Sequence, residues 1–229
     1  MRLLAFETAT RRLSVALWQD GEVIERAEEL PNGGSERLLP WVHELLVEAG
    51  ITLARIDGIA FGAGPGGFTG LRLACGVAQG LAYGLDLPVV PVSTLEALAL
   101  ASGERNVWAC LDARMNEVYG AAYVVEGDRV QQVMAPVCLP PAVVPVPTFA
   151  GGWGVGDAFG NYRQLLLARK PDLEGMRADV FPTAVALSRL AAPVFARGAG
   201  VDAALAQPVY VRNKVALTTA ERIARGGAR

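Results

Sequence analysis

Apolar and polar positions along the chain fall into two successive cycles. The first opens with three extended segments. Residues 2–6 form a short apolar run of the buried-strand type. Residues 13–18 alternate around Ser14, Ala16 and Trp18, and residues 22–29 read as a third strand, with Asp20-Gly21 as the hairpin turn between the last two. A helix follows. Ser35 is placed to cap it, Leu38, Leu39, Val42, Leu45, Leu46 and Ala49 recur at helical spacing, and Gly50 ends it. Residues 56–61 are a strand, residues 62–68 a glycine-rich loop, and residues 69–83 a second helix closed by Gly84. Residues 88–92 are a strand, and Ser93-Thr94-Leu95-Glu96 is a capping box that starts a third helix running to about Ser102. The order is β-β-β-α-β-α-β-α, whereas a plain doubly wound fold begins βαβ.

The second cycle repeats the opening. A strand at residues 107–111 pairs with residues 117–125 across a turn near Met115-Asn116, and a third strand at 129–134 follows Gly127-Asp128. A proline-rich stretch to Pro147 stands where the next helix is expected. After it come a strand near 146–150, a turn at Gly151-Gly152-Trp153-Gly154, a helix from about 157 to 169 and a last helix at 182–197. The pattern predicts an α/β fold of two tandem subdomains on mixed sheets, residues 1–103 and 104–229, the second a degraded copy of the first.

Composition narrows the chemistry. The 229 residues include one histidine, His43, so an H-E-x-x-H zinc site is excluded and a Ser-His-Asp triad has only that residue to build on. His43 sits mid-helix with no serine in a nucleophile-elbow context, and reads as a partly exposed structural residue. Hydrophobic residues make up 52% and charged residues 19%, so the apolar excess has to go into a core or an interface with another protein. The net charge is −2, which argues against a nucleic-acid binder working alone. Cys75, Cys110 and Cys138 lack metal-type spacing and read as reduced thiols. No signal peptide is visible. The longest uncharged run, residues 131–156, carries five prolines and so cannot be a membrane-spanning helix. The expectation is a cytoplasmic protein with no membrane partner.

Two motifs remain. Gly62, Gly64 and Gly67 satisfy G-x-G-x-x-G, but three strands precede the motif and Asp86 lies before the next strand rather than at its end, which counts against a dinucleotide fold. No lysine follows the loop, so it is not a P-loop. It reads either as a tight turn for close helix–strand packing or as an anion cradle at a helix N-terminus assisted by Arg72. Glu7, at the end of the first strand, and Asp112, at the equivalent place in the second half, are the carboxylate pair a metal-assisted phosphate site would use. A polar turn and a local Asp112–Arg114 ion pair are the plainer readings. In the second helix Ala74, Gly76, Ala78, Gly80 and Ala82 alternate, although each helical glycine costs about 1 kcal/mol relative to alanine. Close approach of another helix, internal or from another chain, would explain it. The first helix adds Trp41 and Leu45 to a wide apolar arc.

The duplicated order resembles the actin, Hsp70 and sugar-kinase superfamily. More narrowly, the stretch from Leu3 to Thr10 (LLAFETAT) resembles the opening of the TsaB (YeaZ) family of tRNA threonylcarbamoyladenosine biosynthesis proteins. So do Ser35-Glu36-Arg37-Leu38-Leu39-Pro40, Gly64-Pro65-Gly66-Gly67-Phe68-Thr69-Gly70-Leu71-Arg72 and Pro91-Val92-Ser93-Thr94-Leu95-Glu96-Ala97-Leu98. Asp112-Ala113-Arg114 with Glu117-Val118-Tyr119, and Pro208-Val209-Tyr210-Val211-Arg212, extend the match in the same order. Glu7 stands where family members often have Asp, and Gly34 where they often have His. The catalytic paralogue TsaD carries metal-binding histidines in H-x-x-x-H, a motif this chain lacks.

The resemblance implies a non-catalytic scaffold subunit with no catalytic or metal-ligating residue of its own. Its partners would be TsaD and the ATPase TsaE, in a complex that transfers a threonylcarbamoyl group to the adenosine beside the anticodon of ANN-decoding tRNAs. The docking face would be the first two helices, with Leu38, Trp41, Val42, Leu45, Leu46, Ala74, Val77, Ala78 and Leu81, and the same face would form a homodimer of the isolated chain. Glu7, Thr8, Gly64, Gly66, Gly67, Thr69, Arg72 and Asp112 would form any nucleotide or anion site. No cofactor is intrinsic, with ATP or ADP expected at most at the complex junction and tRNA contact only within the complex. The alternative is an autonomous ATP- or metal-dependent enzyme, a kinase or glycoprotease-like peptidase, using Glu7 and Asp112.

Overall fold

The computed structural model describes residues 1–30 and 34–212. Each cycle builds one five-stranded mixed sheet. In the first, β1 (Arg2–Glu7), β2 (Arg12–Gln19) and β3 (Glu22–Glu29) form an antiparallel meander, and β4 (Gly58–Gly64) and β5 (Val89–Ser93) add in parallel to give the order β3-β2-β1-β4-β5. In the second, β6 (Asn106–Arg114), β7 (Glu117–Glu126) and β8 (Arg129–Leu139) repeat the meander, with β9 (Trp153–Val155) and β10 (Gly175–Arg177) alongside in the order β10-β9-β6-β7-β8.

Helices α1 (Gly34–Glu48) and α2 (Phe68–Leu85) cover one face of the first sheet. Leu38, Trp41, Val42, Leu45 and Leu46 from α1, and Ala74, Cys75, Ala78 and Ala82 from α2, pack on Leu4, Phe6, Val15, Leu17, Ile59 and Phe61. Arg26 of β3 pairs with Glu44 and Glu48 and fixes α1 over the sheet edge. The other face is covered by α6 (Ala184–Ala196), which returns from the far end of the chain. Its Ala184, Leu187 and Ala191 lie on Ala5, Ala16, Ala60, Val90 and Val92, where small residues on both sides allow close approach. Ser14 accepts the Ala184 N–H at 2.7 Å and Thr183 accepts that of Ala186 at 3.1 Å, so the start of α6 is capped. Helix α3 (Thr94–Ser102) turns the opposite way, placing Leu95, Leu98 and Ala99 on Val107, Ala109 and Tyr123 of the second sheet. The two sheets are thus tied by α3 and α6.

Several local expectations need correction. Ser35 lies inside the first turn of α1 rather than capping it. Helix α2 continues through Gly84 and is capped at Asp86 in the left-handed conformation (φ 55°), with the Asp86 N–H bonded to the Ala82 carbonyl. Strand β8 runs on through Pro136, which an edge strand tolerates because one side needs no ladder donor. Residues 146–150 form no strand. Pro145 and Pro147 deny it donors, and pairing starts after the left-handed Gly151 and Gly152. The helix expected at 157–169 is two pieces, α4 (Ala158–Asn161) and α5 (Arg163–Arg169), broken at Tyr162. Strand β10, three residues long, carries no pattern that announces it. No described helix is long and apolar enough to cross a membrane.

Candidate functional site

A cleft of about 640 Å³ lies between the two halves. One wall is the β1–β2 turn with the loop leading into α2, including Thr8, Thr10, Gly66, Gly67 and Thr69; the other includes Asp112, Arg114, Asp157 and Asn161. The volume falls in the range of small-molecule sites. The chemistry of its walls decides what it can hold.

Glu7 does not reach the cleft. It ends β1 with its side chain fully buried. The Ala9 N–H donates to its Oε1 at 2.7 Å and the Thr94 hydroxyl to its Oε2 at 3.4 Å. Burial pushes the carboxyl up to about 7, against the opposing hydrogen bonds from Ala9, Thr94 and Thr8. Gly62 stands above it, where a Cβ would overlap the carboxylate. Thr8 is also buried, and its hydroxyl donates to the Gly70 carbonyl at 2.6 Å.

The glycine loop is pressed onto the same turn. The Gly67 N–H donates to the Ala9 carbonyl at 2.7 Å. A Cβ on Gly66 would meet Ala9 at 2.6 Å, and one on Gly70 would overlap the Thr8 carbonyl oxygen. The loop is close-packed on this turn, as the tight-turn reading expects. The N–H groups of Ala9 and Gly67 bond to acceptors within the chain. Gly64 has φ 115° and lies in β4, while Thr69 is exposed. Arg72 turns aside to lie 3.7 Å above the Phe68 ring, with its Nε donating to the Tyr210 hydroxyl at 3.2 Å.

Asp112 is held as firmly. Its Oδ1 accepts from the Arg114 N–H at 2.8 Å and the Tyr162 hydroxyl at 3.3 Å, and its Oδ2 from Asn161 Nδ2 at 3.0 Å. Its own N–H donates to Asp157 Oδ1 at 2.8 Å. Burial raises the Asp157 carboxyl above its ordinary range. Glu7 is sealed away from the cleft while Asp112 lines it, and each carboxylate accepts hydrogen bonds from within the chain. Asp157, Asn161 and Tyr162 were missed at the sequence level, since a helix break whose side chains reach across a sheet leaves no periodic signal.

The outer face of α1 and α2 is the second feature. Of the nine residues expected there, Leu38, Trp41, Val42, Leu45, Leu46, Ala74 and Ala78 are buried in the chain's own core, and Val77 and Leu81 are half-buried. What points outward is different. Gly76, Gly80 and Gly84 recur every fourth residue of α2, and a Cβ on any of them would meet nothing within 4 Å. Tyr83 beside them is 82% exposed, and α1 shows Leu39 and Val47.

The meanders, parallel additions and helix placement define an actin/Hsp70/sugar-kinase-type fold, present twice. A family model described as TsaD, tRNA N6-adenosine threonylcarbamoyltransferase, matches residues 32–152. The chain is 37% identical to the tRNA threonylcarbamoyladenosine biosynthesis protein TsaB of Escherichia coli (strain K12), over 94% of this chain and 96% of that protein. It is 36% identical to the protein of the same name in Haemophilus influenzae, over 94% and 95%. The structure of YeaZ from Pseudomonas aeruginosa superposes with a TM-score of 0.85 at 41% identity, over 91% of this chain and 99% of that one. The chain belongs to the TsaB (YeaZ) family of tRNA threonylcarbamoyladenosine biosynthesis proteins.

Proposed function

We propose that the chain is a non-catalytic subunit of the machinery that adds the threonylcarbamoyl group to the adenosine beside the anticodon of ANN-decoding tRNAs. It docks the catalytic paralogue TsaD through the outer face of α1 and α2, and the ATPase TsaE joins that pair. The same face joins two copies when the chain is alone, and the complex works in the cytoplasm. The observation that carries this reading is the open glycine row Gly76, Gly80 and Gly84 beside exposed Tyr83. Each mid-helix glycine costs about 1 kcal/mol that no contact among the described residues recovers. A partner helix laid across bare backbone recovers it through close packing.

The cleft supports the same reading from the other side. Glu7 is sealed, the Asp112 carboxylate accepts three hydrogen bonds from within the chain, and the Gly67 N–H bonds to the Ala9 carbonyl. A nucleotide, where one is bound, belongs at the junction with the partner. The tRNA is contacted only within the complex. Of the basic residues near the C-terminus, Lys214, Arg222, Arg225 and Arg229 lie outside the described residues.

Co-purification with the catalytic paralogue tests the proposal. Gly80→Arg leaves the isolated chain folded, because the space above Gly80 is open, and abolishes capture of the paralogue. Undiminished capture overturns the docking face. Charged replacements of Leu45 or Ala78 would test the core instead, since both are fully buried. The enzyme alternative is tested by calorimetry with ATP and magnesium: tight binding lost in Glu7→Ala would favour it.

A further inference from the structure

Beyond α6 the chain returns to the cleft. From Ala206 to Arg212 it crosses from the first half to the second and contributes Val209–Arg212 to the cleft lining. Its first anchor is α2 and β4. Gln79 Nε2 donates to the Ala206 carbonyl at 3.0 Å, and the Val209 N–H donates to the Ala63 carbonyl at 2.7 Å. Tyr210 then sets its ring 5.9 Å from that of Phe68 and accepts the Arg72 Nε–H. Two residues later Arg212 reaches the other wall. Its guanidinium donates to Glu117 Oε2 from Nη2 at 2.7 Å and from Nε at 3.0 Å, and to the Ala113 carbonyl at 2.8 Å.

The landing site is unusual in itself. Arg114, Met115 and Asn116 have φ values of 60°, 56° and 59°, three consecutive non-glycine residues in the left-handed region. L-residues visit that region singly rather than in runs. A run of three persists where surrounding contacts over-determine it. Arg212 supplies such contacts, bonding the Ala113 carbonyl immediately before the run and the Glu117 carboxylate immediately after it.

We infer that residues 206–212 are a latch that ties the two cleft walls together, with Tyr210 as the fixed end and Arg212 as the release. The charge-assisted fork of Arg212 holds the strained turn 114–116, and the turn holds Arg212. Spreading of the walls at this end requires one anchor to let go. This inference stands independently of the proposed docking face.

Hydrogen–deuterium exchange of the full chain tests it with two variants that remove one anchor each. Tyr210 is about half exposed, and the Arg212 side chain, though only 16% exposed, lies along the cleft wall and belongs to neither sheet's apolar core, so neither truncation opens the core. In a latch the anchors are coupled. Arg212→Ala is expected to raise exchange on the order of tenfold in residues 113–118 and also at Val209 on the far wall. Tyr210→Ala is expected to raise exchange in residues 113–118, which it does not touch. Arg212→Lys keeps the charge but loses the fork, and falls between Arg212→Ala and the unaltered chain. Loosening confined to the wall each residue contacts overturns the latch, as does unchanged exchange. A rise that extends to residues 3–6 of β1 means general loosening and overturns it as well.

Discussion

Glu7→Gln isolates what a sealed carboxyl does to this fold. The side chain is fully buried, and burial lifts its pKa from 4.5 to about 7. The folded state therefore binds a proton that the unfolded chain gives up earlier. The contribution to stability is fully present below the unfolded pKa and is lost as pH rises through about 7. The shift corresponds to about 3 kcal/mol between the two ends of that window. Glutamine keeps an acceptor for the Ala9 N–H and an amide for the Thr94 hydroxyl, but it does not titrate. Urea unfolding at several pH values from 4.5 to 8 reads the effect. The difference in stability between Glu7→Gln and the unaltered chain is expected to move by about 3 kcal/mol in the variant's favour as pH rises. A difference constant to within about 1 kcal/mol would mean that Glu7 is not held in this environment.

Gly76→Ala and Gly80→Ala separate folding from docking. In the chain diluted to monomer each is expected to stabilise α2 by about 1 kcal/mol, raising the melting temperature by several degrees, while weakening association with the paralogue and between copies. A loss of stability in calorimetry would refute the open placement of these positions. Gly70→Ala behaves oppositely: its Cβ is driven onto the Thr8 carbonyl oxygen, and urea unfolding is expected to show a loss of about 2 kcal/mol or more. Tyr83→Asp is expected to leave the urea midpoint of the diluted monomer unchanged and to abolish self-association in sedimentation, because the side chain is 82% exposed in the single chain.

Much of the first half was legible in the residues. The strand at 22–29 coincides with β3, and Ser93 does cap α3, accepting the Glu96 N–H at 3.4 Å. Alternation and capping are local signals, and these elements obey them. What covers an apolar face is not local. Trp41 and Leu45 widen the arc of α1, and that width suggested burial against a second body. The sheet and the neighbouring helices supply the cover instead. The exchange by which α3 packs on the second sheet and α6 on the first is likewise invisible to periodicity, since it sets only which positions are apolar. The carboxylates were found in the sequence but not their fate. Glu7 and Asp112 hold the expected places in the two halves, yet their partners Thr94, Asn161 and Tyr162 come from elements distant in the chain. The glycine row of α2 was the most informative feature of all, because only the structure separates Gly70, which an internal contact demands, from Gly76 and Gly80, which none does.

Threonylcarbamoyladenosine in the tRNA of cells depleted of this chain is the most direct measurement of its role. Nucleoside analysis is expected to show its loss on depletion, its return with the unaltered chain, and no return with a Gly80→Arg chain expressed at the same level. Full modification in the depleted cells would contradict the pathway, and rescue by Gly80→Arg would contradict the docking face.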